Sequence, residues 1–405
     1  MPPSGPCLTP SVVSSAATTI RRSQRDRLGV TGGHERASEL RKFGEQRSVL
    51  SIVSATSEVS SQSTQVLGLR PGELVRVRSA AEIFATLDHR GTLEGLPFMP
   101  EMLKYCGRVV PVTQRADKTC AGDGVVRRMH NTVHLQKVRC DGSAHDGCQA
   151  ACLMFWKEAW LERVENGRAR NGSVPVPARL GEEQQSYVDG TLRAATRKAS
   201  EAGAPRYRCQ ATDVPRASAP LRFRHADQYV RDLQNWSSRK IVRGLIIELF
   251  NLWQRYSKSR LPKALLIAGG NEYPFVVGKL EKGKTPSGKL DLRPGDLVRI
   301  KSKEEIVATL DKTNRNRGLS FDGEMSNYCG RTARVRARVN RLIEESTGEM
   351  VDIKSDCIIL EGVVCAADYH RFCTRAIYPY WREVWLEKVE SSPHTNGHSP
   401  ACASC

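Results

Sequence analysis

Four side chains that ligate soft metals stand at matching places in two parts of the chain: Cys106, Cys140, His145 and Cys148, and again Cys329, Cys365, His370 and Cys373. Thiolate sulfur and imidazole nitrogen are the donors a borderline-soft ion such as zinc prefers. Four of them close a tetrahedral site with no position for a substrate water, so the chemistry expected of such a Cys3His set is structural. Buried cysteines also serve as small hydrophobes, and thiol redox chemistry is a third use of the same residues. The first part has in addition Cys120 and Cys152, whose places in the second are taken by Ile343 and Ile377. Five cysteines there suffice for an iron–sulfur cluster, but the shared set has three thiolates and would need its histidine; zinc is the more economical cofactor. The spacing leaves open whether Cys120 and Cys152 are ligands, redox-active or structural.

No catalytic constellation accompanies these residues. Glu101 and Glu324 recur beside Met102 and Met325, but one carboxylate without a partner or an assigned base makes no active site. Trp156 and Trp160, like Trp381 and Trp385, lie four apart and suit core packing, with a paired aromatic platform for a ligand as the alternative. Arg76, Arg78 and Arg108, with Arg299, Lys301 and Arg331, suit a solvated strand face or contacts to phosphate.

The elements that must hold these side chains are themselves duplicated. RPGELVRVRSAAEIFATLD at 70–88 returns as RPGDLVRIKSKEEIVATLD at 293–311, with a constant offset of 223. The same offset carries the Tyr-Cys-Gly-Arg turn at 105–108 onto 328–331. An offset of 225 then carries Cys140, His145, Cys148, Trp156 and Trp160 onto their second copies. Within each copy, alternation at 74–78 predicts a half-buried strand. Ser79 with Glu82, and Ser302 with Glu305, predict a capping box opening a short helix. Val335 to Val339 and Met350 to Ile353, around a turn at 346–348, predict a hairpin. CIILEGVVC, which includes Cys357, adds a strand, and WLERV or WLEKV closes the sheet. The expected fold is mainly β with short helices (α+β): two repeated small SH3-like or partly open barrel modules, joined by a linker and a helical segment.

The boundaries follow. Residues 1–66 lack a sustained period and read as disordered; 67–165 is the first Cys-rich module; 166–220, rich in Arg, Ala, Pro, Gly and Ser, reads as a flexible basic linker; 221–257 is a helical segment; 258–289 is a connector; 290–390 is the second module; and 391–405 is a disordered tail. In the helical segment Leu233, Trp236, Ile241, Leu245, Leu249, Leu252 and Trp253 predict an amphipathic packing helix. From Glu165 to Pro262, 18 Lys and Arg stand against 9 Asp and Glu, a local excess of +9 that is half the chain's +18. Such charge suits an acidic protein, nucleic acid or anionic lipid without choosing among them. No apolar run is long enough to span a bilayer; weak membrane-surface contact through 241–253 is the most that stretch suggests. Cysteine usage and the lack of a secretory signal pattern point to an intracellular, reducing compartment, with organelle targeting the alternative for the Ser-, Thr- and Arg-rich start.

The strings RPGDLVRIKSKEEI, TLD, GLSF, EM, YCGR, CIILEGVVC, HRFC and YWREVWLEKV resemble a bacterial family of uncharacterised tandem Cys-rich proteins. The resemblance covers both modules and the helix before the second, and the Ser-rich start departs from it. It implies an architecture rather than a reaction. The function expected is that of a noncatalytic binding or scaffold protein, its two linked sites gaining avidity. The alternatives are a nucleic-acid binder using the basic surface and a metal-dependent or thiol-redox enzyme centred on Cys120 and Cys152.

Overall fold

A computed structural model describes residues 66–121, 125–165, 168–169, 180–198, 205–222 and 227–389. Of the ends proposed as disordered, 1–66 and 391–405, all but residue 66 lie outside them. The fold is mainly β with short helices, built on a curled half-barrel sheet.

In the first half the strands are β1 (Leu74–Val77), β2 (Val109–Arg115), β3 (Lys118–Cys120), β4 (Val126–Arg128), β5 (Thr132–Arg139), β6 (Leu153–Lys157), β7 (Leu161–Glu165) and β8 (Arg168–Ala169), with helix α1 (Ala80–Phe84) after β1. The main sheet runs β8-β7-β1-β2-β5-β6. Helices α2 (Glu182–Tyr187), α3 (Gln210–Ala217), α4 (Asp227–Asn235) and α5 (Ser238–Arg260) follow. The second half has β9 (Leu297–Ile300), α6 (Lys303–Val307), α7 (Gly323–Ser326), β10 (Thr332–Arg338), β11 (Arg341–Ile343), β12 (Met350–Asp352), β13 (Ile358–Leu360) and β14 (Leu386–Lys388), with sheet order β13-β10-β9-β14.

The order β7-β1-β2-β5 of the first sheet therefore returns as β14-β9-β10-β13 in the second, and the register returns with it. Leu74 faces Pro111 and Val75 faces Val110, as Leu297 faces Arg334 and Val298 faces Ala333. Both long strands bulge at matching points, between Val112 and Gln114 and between Val335 and Ala337. A bulge bends its strand and raises the local twist, which curls the sheet. The capping boxes form as expected: Ser79 accepts from the Glu82 amide and Ser302 from that of Glu305. The hairpin differs, because β10 instead pairs with β9 and β13, and the turn at 346–348 joins β11 to β12.

Each half has its own apolar core. Trp156 and Trp160 in one, and Trp381 and Trp385 in the other, are fully buried beside Phe98 and Phe321. The tryptophans are therefore core residues, and Trp160 and Trp385 donate their ring N–H to Thr86 and Thr309.

Two expectations for the middle of the chain are corrected. The linker assigned to 166–220 carries structure over 180–198 and 205–220: Val188, Leu192, Val214 and Ala217 enter the first core, and Tyr207 the second. Apolar burial, which composition alone does not reveal, orders these stretches. Helix α5 forms but does not pack its leucine stripe inward; it buries Gly244, Ile247, Asn251, Gln254 and Ser257. No described helix is long and apolar enough to cross a membrane.

A buried carboxylate closes each sheet. Glu158 accepts from the amides of Leu67, Gly68 and Leu69, and meets Arg115 at 2.8 Å. Glu383 does the same for Leu290, Asp291 and Leu292, and pairs with Arg338. Removing one partner of a buried pair leaves the other charge uncompensated, at a cost of about 3–5 kcal/mol. Glu158→Ala should therefore lose about that much in urea denaturation, and Glu383→Ala less, because the Arg338 side chain is 34% exposed whereas Arg115 is 4% exposed. Burial alone would raise the Glu383 carboxyl; the Leu290 and Leu292 amides and Arg338 outweigh it and hold the group below its ordinary 4.5. The stability this supplies should be complete above pH 4.5 and vanish as pH falls through the folded pKa, a loss that the Glu383→Gln variant should not show.

Candidate metal centres

Among the described residues, two groups bring potential ligand atoms within 4.8 Å of one another: Glu101, Cys140 and His145, and Glu324, Cys365 and His370. The carboxylates come from the short helical turns Pro100–Tyr105 and α7, which follow the small hairpins Thr92–Pro97 and Arg315–Ser320. Cys140 directly follows β5 and Cys365 stands five residues past β13, and each histidine lies five residues further on, in the loop that follows. That the two glutamates join Cys–His pairs was not evident from the sequence, although their recurrence beside a methionine was the available signal.

In the first group Cys140 Sγ lies 3.4 Å from Glu101 Oε1 and 3.5 Å from His145 Nε2, and the Gly142 amide donates to the same sulfur at 3.3 Å. Glu101 Oε2 and His145 Nδ1 are buried without a hydrogen-bond partner. Orphaned polar atoms are costly in an interior, and here both lie around one sulfur. In the second group Cys365 Sγ lies 3.3 Å from His370 Nδ1, the opposite ring nitrogen. Glu324 accepts from the Ala366 and Tyr369 amides, and Asp322 stands 3.4 Å from His370 Nε2.

The protonation states follow from burial. It pushes the Cys365 thiol up to about 12, the Cys140 thiol well above its usual range, and the carboxyls of Glu101 upward and Glu324 to about 7. Burial lowers His145 and keeps its imidazole neutral. For His370 burial also disfavours the charge, but Asp322 and Cys365 outweigh it and raise the ring to about 12. A divalent cation among these atoms would replace the protons and stabilise the thiolate, which is how metal affinity couples to pH. The donor set of sulfur, imidazole and carboxylate fits zinc.

The remaining sequence-derived ligands go elsewhere. Cys106 and Cys329 pack at the edges of the two cores, with thiols raised by burial to about 12 and about 11. Cys148 accepts from the Ile343 amide at 3.4 Å, across the boundary between the halves. Cys373 lies with its sulfur 3.0 Å from that of Cys120. The Cys3His set thus divides: in each half one cysteine and the histidine meet a carboxylate, while the last cysteine reaches the opposite half. Cys152 lines a cavity of about 40 Å³ with Cys140, Cys148 and Cys209. Cys209, absent from the sequence-derived set, comes from the stretch first read as linker.

These crossings are reciprocal. Gln149 donates its amide to the Arg341 carbonyl at 3.1 Å, and Thr374, its counterpart, donates to the Lys118 carbonyl, the counterpart of Arg341, at 3.3 Å. Cys148 meets Ile343 where Cys373 meets Cys120. The repeated arginines are partly engaged: Arg76 pairs with Glu162 and Arg299 with Glu387, while Arg108 and Arg331 lie over the rings of Tyr105 and Tyr328.

Comparison with family models, with curated proteins and with solved structures finds no match.

Gly142 holds the first loop in place. Its φ is +77°, and a Cβ there would stand 2.2 Å from the Cys148 carbonyl oxygen. Gly142→Ala should cost about 1–3 kcal/mol and speed the reaction of Cys140 with a thiol reagent. Gly147→Ala, where φ is +72° with nothing within 4 Å, should cost only the backbone strain. Thermal melts and thiol titration of the two variants check the contrast.

Proposed function

We propose that the protein is a noncatalytic scaffold made of two SH3-like half-barrel modules, each pinned by a structural metal ion, with zinc the ion the donors favour. The observation that carries this reading is the recurrence of one buried Glu-Cys-His group, Glu101, Cys140 and His145 against Glu324, Cys365 and His370. Three donors leave a fourth coordination position that a closed structural site would fill; burial, with His145 2% exposed and Glu324 fully enclosed, favours an ion that fixes a loop over one that meets a substrate.

The position of the loops supports the same role. The residues directly after the last cysteine of each loop, Gln149 and Thr374, make the reciprocal contacts between the halves. An ion that rigidifies the loop at 140–148 or 365–373 would therefore also set how one module presents its surface relative to the other. Two similar surfaces at fixed spacing suit a binding scaffold, because the second contact then pays little extra ordering entropy. The duplicated sequence strings support membership of the tandem Cys-rich family they resemble.

Elemental analysis of the purified chain should find zinc at about one ion per group, without visible absorption. Glu101→Ala and Glu324→Ala should each lose one ion, and the double variant both. A strong chelator should lower the thermal midpoint of the parent protein and leave that of the double variant nearly unchanged. A protein isolated free of metal, with a melt indifferent to chelator and added zinc, overturns the reading; an iron–sulfur chromophore would replace it.

A further inference from the structure

Helix α5 is inverted relative to the usual amphipathic rule. Apart from Ile247 its inward face is small and polar, and the amide side chains there hold the segment that follows. Asn251 donates to the Tyr273 carbonyl and accepts from the Tyr273 amide; Gln254 donates to the Ile267 and Asn271 carbonyls. Gly244 permits the approach of Phe372, whose ring atoms would stand 2.5 Å from any Cβ. These contacts fix the rotation of the helix about its axis and turn Val242, Leu245, Ile246, Leu249, Leu252, Trp253 and Tyr256 outward, each 41–64% exposed.

The outward residues follow a pattern. Val242, Leu245, Leu249, Leu252 and Tyr256 are spaced three and four apart in alternation, the 3.5-residue repeat of a helix seam that meets another helix. On one flank of this ridge lies a cavity of about 470 Å³, walled by Leu221, Leu233 and Phe372 besides the ridge leucines. On the other lies an open depression lined by Ile246, Phe250 and Phe275. A ridge bordered by apolar grooves is complementary to itself: two copies related by a twofold axis can each seat a ridge in the other's groove.

The exposed area selects the occupant. The seven side chains leave on the order of 700 Å² in water, close to the roughly 800 Å² each partner gives to a standard stable interface and above the usual patch on a soluble monomer. The charged groups at the middle of the ridge are paired within the chain, whereas Arg239, Lys258 and Arg260 stand exposed toward its ends. Glu248 pairs with Arg371 and Arg255, Arg255 also with Glu272, and Asp368 with Lys240 and Arg243.

We infer that α5 is the dimerisation helix of this protein, its Val242–Tyr256 seam packing against the same seam of a second copy. Sedimentation and light scattering of the full chain should give twice the monomer mass in the micromolar range. The thermal midpoint should rise with protein concentration, as mass action requires of a dimer. Leu245→Ser with Leu249→Ser should raise the dissociation constant at least 100-fold while far-UV circular dichroism and metal content stay unchanged, because neither side chain is buried in the isolated chain. A monomer with a concentration-independent melt overturns the inference. So does a monomer that sediments with phosphatidylserine vesicles, or a dimer that the double substitution leaves intact. Unfolding of the double variant would contradict the exposed placement of the two leucines and overturn it as well.

Discussion

In each half of the molecule one glutamate, Glu158 or Glu383, sits in the interior and accepts from three successive backbone amides while facing an arginine from the long central strand. A carboxylate in that position cannot be exchanged for an apolar side chain without stranding three N–H groups and a guanidinium. The chain entering the half-barrel is thereby tied to the strand that closes it, with the tryptophans on either side filling the core.

From that frame project the two loops that hold the candidate ligands. They begin alike and end differently. Cys148 reaches Ile343 in the opposite half, while Cys373 reaches Cys120, so one of two equivalent crossings is between thiols and the other is not. The surroundings differ in the same direction. The first group has two orphaned polar atoms and a cavity shared with Cys152 and Cys209, whereas the carboxylate of the second is supported by two amides. The two sheets share strand order and register, and the residues at the boundary between the halves differ where each faces a different neighbour.

Helix α5 shows how far a local pattern can mislead about direction. Its leucines have the spacing of a buried stripe, and periodicity alone says that one face is apolar but not which way that face points. The face is decided by Asn251 and Gln254, whose amides satisfy backbone groups of the segment that follows. An unsatisfied backbone carbonyl in the interior costs more than an exposed leucine whose surface a partner can cover.

Much of the scaffold was legible in the residues. The constant offsets revealed the duplication, Ser79 and Ser302 with their glutamates marked the helix starts, and the alternating valines marked the first strand of each copy. Those signals are local, carried by neighbours a few positions apart. Even the closing clamp had one, since a glutamate stands between the tryptophans at both 156–160 and 381–385. What the sequence could not convey is which distant groups meet. Only tertiary structure joins Glu101 and Glu324 to their Cys–His pairs, sends Cys148 and Cys373 across to the other half, and draws Tyr207, Cys209 and Val214 out of an apparent linker into packed surroundings. The physical reason is that hydrogen-bonding and turn propensities act within a few residues, whereas ligand geometry and burial depend on closing long loops, which no spacing encodes.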